Sequence, residues 1–512
     1  MKILCYPTSL NLGYIVDAFK LLKSKNSNIR FGFIYSYKEN KSALEIENQN
    51  YLKKVDLNAS FFNIFSSNKK NDQKLDKKYL NYFESISEKN IWKIISSDRD
   101  YGRVYINDIY AYRSKYTKKN NKEILLNFIN LSKRIEKIIF KFKPDVVYIS
   151  NGLSNLEVSI LNVLAKHYGA KILVPHPTMY KNYIFFSNDI YVYDEKIKKY
   201  YQNNKKNLNL KNLDQLFKET QKKGVVSLDR DTVRKQISKM QKKNILNLIF
   251  GDIIYTIFKH SIFQLIYLFG FRYKHLKVLK EYNFIWKIKD EIFLRKMLKS
   301  LISIKMPDIK KNYIYLPLHL IPETSTLLKG NDYMNQSFLV ELVSKNIPSN
   351  CKLYVKEHPA MFTSHARKIN FYKRIDSLPN VELVPIYADG MRLIKNSKLV
   401  IVVDGSSGFE AMLIKKPVVT LKYFVFSFLG LTITNNNINN LYDDIQKAFK
   451  INLEISPKKF ERKIKSLITA ISETCHQIRK PGFFFYNEIL NNEDEKICGE
   501  DLAKALINEL KI

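Results

Sequence analysis

The 512-residue chain carries 85 Lys+Arg against 49 Asp+Glu, a formal net charge of +36, with 45% hydrophobic and 13% aromatic residues. That apolar content excludes disorder as the main state, and the length suffices for two ordinary cores plus additions. The cation excess calls for an anionic neighbour or a basic, soluble surface. The lysines are spread along the chain without a nucleic-acid-binding motif, so no nucleic acid is expected as a partner.

Lys2 to Tyr6 is an apolar run that breaks at Pro7, and Leu10 to Lys23 has helical spacing before a second strand, Arg30 to Ser36. This β-α-β opening suits a Rossmann-like half, although Gly13 alone is no dinucleotide fingerprint. Met1 to Ser9 lacks the long apolar core of a signal peptide, which points to the cytoplasm. Cys5, Cys351, Cys475 and Cys498 are isolated, so neither a disulfide framework nor a zinc site is indicated.

Lys38 to Asn90 is polar and predicts helices and loops that decorate the first domain. Two acidic triplets follow, Asp98-Arg99-Asp100 and Asp229-Arg230-Asp231. The second stands before a helical pattern and serves most simply as an N-cap and first-turn acid; Ser97-Asp98-Arg99 is read either as a cap or as lining an acceptor cleft, with Asp98 the candidate base. Helical spacing over Asn121 to Phe142 leads through Lys143-Pro144-Asp145 to the strand Val146 to Ser150, whose end carries Asn151 and Gly152. A helix over Asn155 to Tyr168 and a strand from Ala170 to Val174, ending at Pro175-His176-Pro177, complete another β-α-β unit. Asn151, Gly152 and His176 are thus expected on the acceptor side of an interdomain cleft, with plain turn formation as the competing reading.

From 195 to 310 the sequence is basic and mainly helical. Its apolar stretch, 245 to 269, is interrupted by Asp252, Lys259, His260 and Gln264, so burial or docking at a membrane surface is expected rather than crossing. Beyond it, apolar runs at Tyr313 to Pro317, Cys351 to Val355, Val381 to Val384, Leu399 to Val403 and Val418 to Leu421 alternate with helical segments, which predicts a doubly wound parallel domain. Helices are expected over Leu441 to Phe449, Lys458 to Ile471 and Gly499 to Leu510.

Two clusters follow strands of this second domain: Lys356-Glu357-His358-Pro359, and Asp404-Gly405-Ser406-Ser407-Gly408-Phe409-Glu410. Strand carboxyl ends line the binding crevice of an open α/β sheet, so both clusters should face one cleft. In the second, small residues admit a ligand close to the backbone, and a helix amino end favours phosphate. Ser406 and Ser407 add hydroxyl donors, and Glu410 lies within reach of ribose hydroxyls. The competing reading is a capping box, Ser407 to Glu410. In the first cluster Pro359 stiffens the turn while His358 can donate to a phosphate oxygen. Composition predicts roughly 0.2 His-Pro pairs by chance; two occur, at His358 and His176, each after an apolar run.

Lys356-Glu357-His358-Pro359, then Val403 to Leu413, then Lys415-Lys416-Pro417-Val418-Val419 resembles the C-terminal half of bacterial capsule and surface-polysaccharide glycosyltransferases with the GT-B fold. Tyr315 to Thr326 is similar to that group's PLHxQPE segment, with Ile321 in place of the glutamine. The resemblance covers Asn312 to Leu421 well and Met1 to Ile190 weakly. It implies two Rossmann-like domains facing a cleft, transfer from a nucleotide-sugar donor, and no metal or cofactor. Several members transfer Kdo from a CMP donor.

The expected organisation is an acceptor domain over 1–194, a helical insertion over 195–310, a nucleotide-sugar domain over 311–450 and C-terminal helices over 451–512. His358, Glu323 and Asp98 are the expected catalytic residues. Lys356, Pro359, His319, Gly405, Ser406, Ser407, Gly408 and Glu410 are expected to hold the donor, with Asn151, Gly152 and His176 on the acceptor side. The favoured reaction moves Kdo or a related acid sugar from a CMP donor to a capsular or other surface glycan at the inner membrane face. CDP-polyol phosphotransfer, UDP-sugar transfer and a non-catalytic assembly role remain alternatives.

Overall fold

The computed structural model describes residues 1–7, 12–35, 57–64, 74–106, 120–150, 154–180, 182–191, 194–204, 301, 303–359, 361, 367–479 and 492–512. Asn151, Gly152, Asp229 to Asp231 and the apolar stretch 245–269 lie outside these residues.

The first half opens with β1 (Lys2–Tyr6), α1 (Leu12–Lys25), β2 (Arg30–Tyr35) and β3 (Ser60–Asn63), followed by α2 (Lys77–Ile86) and α3 (Ile91–Ser96). Next come α4 (Asn121–Phe142), β4 (Val146–Ile149), α5 (Leu156–His167), β5 (Lys171–Pro177), β6 (Tyr183–Ser187) and α6 (Glu195–Asn203). Local chemistry sets these limits. The Asn120 side chain accepts from the Glu123 amide to start α4, and Lys143 ends it in the left-handed region at φ 50°. Phe128, Ile129, Ile135, Ile139 and Phe142 form the buried stripe between.

The second half contains β7 (Tyr313–Pro317), α7 (Gln336–Ser344), β8 (Lys352–Lys356), α8 (Ile369–Asp376), β9 (Val381–Val384), α9 (Gly390–Asn396), β10 (Leu399–Val402), α10 (Ser406–Leu413), β11 (Val418–Thr420) and β12 (Ile433–Thr434). After α11 (Leu441–Glu454) and α12 (Pro457–Thr474), the chain returns to the first half as β13 (His476–Gln477) and α13 (Asn492–Leu510).

The first sheet runs β13-β6-β5-β4-β1-β2-β3 and the second β12-β11-β10-β7-β8-β9. The second is parallel throughout; the first is parallel from β3 to β5, and β6 then pairs antiparallel with both β5 and β13. Both therefore wind outward from a central pair, β1 beside β4 and β7 beside β10, where the strand order reverses. Each sheet buries both faces, which explains why its central strands read as continuous apolar runs. In the first half, α1 and α13 supply one core and α2 to α5 the other. In the second, α7, α8 and α11 cover one face, and α9, α10 and α12 the other.

Among the described residues the halves meet at several places, two of which bear on the site. At one, Asp194 before α6 accepts from the Phe426 amide at 2.8 Å and from the Tyr423 hydroxyl. At the other, the π-helical segment Ser325–Lys329 leaves the second half and places Leu328 in the core of the first. Burial of that side chain contributes roughly 2 kcal/mol. Beside it, Ser154 donates to Thr324 at 3.1 Å, and Asn331 donates to Ser96 at 3.0 Å. Ile106 packs with Ile321, Leu327, Met334 and Met361.

Candidate functional site

Three strand ends of the second half are tied together. The loop after β7 carries His319, that after β8 carries Glu357 and His358, and that after β10 carries Asp404 and Gly405. Arg367, wholly buried, links the first two: its Nε lies 2.6 Å from Glu357 Oε2 and its Nη2 donates to the His319 carbonyl at 2.7 Å. Tyr372 donates to the same Glu357 oxygen at 2.5 Å, and the His358 amide donates to Oε1 at 2.7 Å. Glu357 thus shapes the turn that presents half-buried His358. It was not among the expected site residues, although it lies in the Lys356 to Pro359 cluster; its partners Arg367 and Tyr372 are brought to it only by the fold.

His319 joins the third loop. The Val403 amide donates to its Nε2 at 3.2 Å, which places the ring proton on Nδ1. Burial holds this imidazole down at about 4; Asp404 pulls upward and Arg367 downward. At Gly405 the backbone takes φ +112°, and a Cβ there would lie 3.6 Å from His319 Cε1. Glycine is needed for that conformation, and having no side chain it leaves the first amides of α10 unblocked. Ser406 and Ser407 are half-exposed at this amino end.

The helix starts at Ser406 with Gly405 as its N-cap, so Ser407 and Glu410 do not form a capping box. Gly408 instead lets α10 settle on β10, since a Cβ there would stand 2.8 Å from Val402 Cγ2. Glu410 is fully buried behind the helix, and Lys356, the last residue of β8, is 7% exposed. Pro359 is half-buried beyond His358. Glu323 is half-buried at the head of the π-helical segment, with Ser325 donating to its Oε2 at 3.4 Å. Ile321, which stands where the resembled segment has glutamine, belongs to the apolar cluster between the halves. Asp404 is buried, its Oδ2 lying 3.1 Å from Lys329 Nζ.

Of the expected first-half residues, His176 lies near the end of β5, which stops at Pro177 as expected, opposite Phe185 of β6, and it is buried. Pairing of β5 with β4 stops at Leu173, so Pro175 and Pro177 fall where no amide is owed to that neighbour. The Ser187 hydroxyl donates to the Asp189 carbonyl, so His176 Nε2–H donates to Ser187 at 2.9 Å. Burial, with Lys329 nearby, lowers its pKa to about 3. Asp98 is also buried: Oδ1 accepts from the Asp100 and Tyr101 amides at 2.8 and 2.9 Å, and Oδ2 from the Leu156 amide at 2.8 Å. Burial and Glu157 push it up to about 7 against the pull of those amides. Its geometry is that of a loop organiser and a cap for α5, not of a base facing solvent.

Two Rossmann-like sheets, joined by a C-terminal segment that returns to the first, define a chain of GT-B architecture. Residues 272–453 match the family model described as capsule polysaccharide biosynthesis protein, so the resemblance carried by Lys356 to Pro359 and Asp404 to Glu410 holds over that stretch. No curated protein sequence matches. Among solved structures, the chain is similar to UDP-GlcNAc 2-epimerase from Methanocaldococcus jannaschii, at 13% identity over 91% of this chain and 99% of that one, TM-score 0.22. It is also similar to Thermosulfurimonas dismutans KpsC, beta Kdo 2,7 transferase, at 11% identity over 74% and 90%, TM-score 0.31. The beta Kdo 2,4 transferase of the same organism gives 11% over 65% and 82%, TM-score 0.29. At such scores these likenesses carry no functional weight.

Proposed function

We propose that this chain is a glycosyltransferase that moves a sugar from a nucleotide donor to a capsular or related surface glycan, with Kdo or a kindred acid sugar from a CMP donor as the favoured substrate. The observation that carries this reading is the linkage of the β7, β8 and β10 loops around the amino end of α10. Donor phosphate would rest on the first amides of α10 and the hydroxyls of Ser406 and Ser407. His358 would donate to it from the neighbouring turn, and His319 Nδ1–H lies beside Gly405 for the same purpose. Donors fixed before the reaction stabilise the charge that develops as the nucleotide departs. With Asp98 engaged by backbone amides, Glu323 is the carboxylate proposed to activate the acceptor.

Among the described residues no helix is long and apolar enough to cross a membrane. The net charge of +36 supports docking at an anionic inner membrane surface, where a lipid-linked acceptor would be presented. Calorimetric titration with CMP, CDP, UDP and GDP tests the donor reading. CMP should bind most tightly, and His358→Ala should weaken it about tenfold. Selective binding of CDP or UDP would change the donor class, and failure of all four would overturn the proposal.

A further inference from the structure

A second polar focus lies where the halves meet, one strand along the second sheet from the α10 loop. Lys422 follows β11 and pairs with Asp332 Oδ2, while Lys93 of α3, from the other half, lies 3.0 Å from Asp332 Oδ1. Lys89, in the turn before α3, sets its ammonium 3.2 Å from the centre of the Tyr191 ring. Tyr191 is held there because Asp189 Oδ1 accepts its amide at 2.9 Å. Asp189 itself is neutralised by Lys166. Lys93 and Lys422 therefore share one carboxylate, Asp332, while Lys89 feels Asp189, already paired with Lys166, and Asp332 only at longer range, so the focus retains an excess of two positive charges. Side-chain exposures of 38% for Lys93, 34% for Lys422 and 44% for Asp332 leave it open to a ligand.

We infer that Lys89, Lys93 and Lys422 bind a carboxylate of an acidic glycan acceptor at this boundary. The inference rests on reading the chain as a glycosyltransferase, and it adds the acceptor's chemical class. A track of cations would suit nucleic acid; a compact focus beside aromatic faces suits a single sugar acid. The Tyr191 ring stands under Lys89, and Tyr333 lies 5.5 Å below Lys422. Burial, with Lys93 and Lys422 adding repulsion, lowers Lys89 to about 8. A bound anion restores that proton, so binding near pH 8 takes up protons.

The test is calorimetry with tetragalacturonic acid against neutral maltotetraose, at pH 8 in two buffers of different ionisation heat. The acidic tetramer should bind with proton uptake. Lys89→Ala and Lys422→Ala should each weaken it about tenfold, Lys422→Arg should retain it, and Lys141→Ala, a distant exposed lysine, should leave it unchanged. Equal binding of maltotetraose, or an equal loss in Lys141→Ala, would overturn the inference. CMP titration of the same proteins separates the two readings. If CMP fails while the acidic tetramer binds as expected, the donor reading falls and this one stands. If the lysine variants lose CMP instead of the tetramer, this one falls.

Discussion

The helices α5 and α10 occupy the same station in the two halves, each following the strand next to the centre of its sheet. Their amino ends are treated in opposite ways. At α5 the Asp98 carboxyl group, brought from a distant loop, accepts from the Leu156 amide and occupies the place an external ligand would take. At α10 the preceding residue is Gly405, with no side chain to fill it, and His319 stands alongside. One fold element thus serves as an internal joint in the first half and as a candidate phosphate seat in the second.

Removing this internal acceptor gives the largest expected effect. Asp98→Ala leaves the amides of Asp100, Tyr101 and Leu156 without their acceptor and should cost about 4 kcal/mol in denaturant unfolding. Nucleotide affinity should be retained in the folded fraction. Unchanged stability with lost transfer would instead restore Asp98 as a catalytic base. The converse change gives α10 an anion of its own. Ser406→Asp should leave stability equal or slightly raised, because a first-turn carboxylate suits the helix dipole, yet weaken nucleotide binding about thirtyfold. Parallel melting curves and titrations read the two opposite signs.

The smallest effect is in the pH profile. His319 and His176 stay neutral in the fold where they would charge when unfolded, so their contribution is lost as pH falls from about 6.5 to about 4 for His319 and to about 3 for His176. Asp98 keeps its proton up to about 7 in the fold, so its contribution is lost as pH rises from about 4 to about 7. Two imidazoles outweigh one carboxyl, and stability should climb between pH 4 and 6.5. His319→Asn should flatten the climb and Asp98→Asn steepen it, as read from unfolding midpoints at half-unit pH steps.

What the sequence revealed follows the same division between local and distant causes. The elements Asn121–Phe142, Val381–Val384 and Tyr313–Pro317 were readable because an apolar pattern and its stop signals lie in one stretch. The strand β3 was not, since only Phe61 and Phe62 mark it within a polar region and its pairing with β2 supplies the rest. Likewise β13 depends on a partner far along the chain, β6, whereas β6 itself pairs with its sequence neighbour β5, opposite His176. The α10 loop was legible from its small residues. The roles of Glu357 and Asp98 were not, because each is defined by groups that only the tertiary fold brings near.

The return of α13 to α1 bears on synthesis as well as structure. Cys498, Leu502, Ala505 and Leu506 complete the core built by Tyr14, Ala18, Phe19 and Leu22, and Gly499 permits the approach, a Cβ there standing 2.8 Å from that of Asp17. More than 450 residues separate the two helices in the chain. At ordinary translation rates the face of α1 waits roughly 25 to 100 s for its cover. The first sheet to emerge from the ribosome is therefore among the last to be sealed, and its exposed apolar face is where a nascent chain of this kind would need a chaperone.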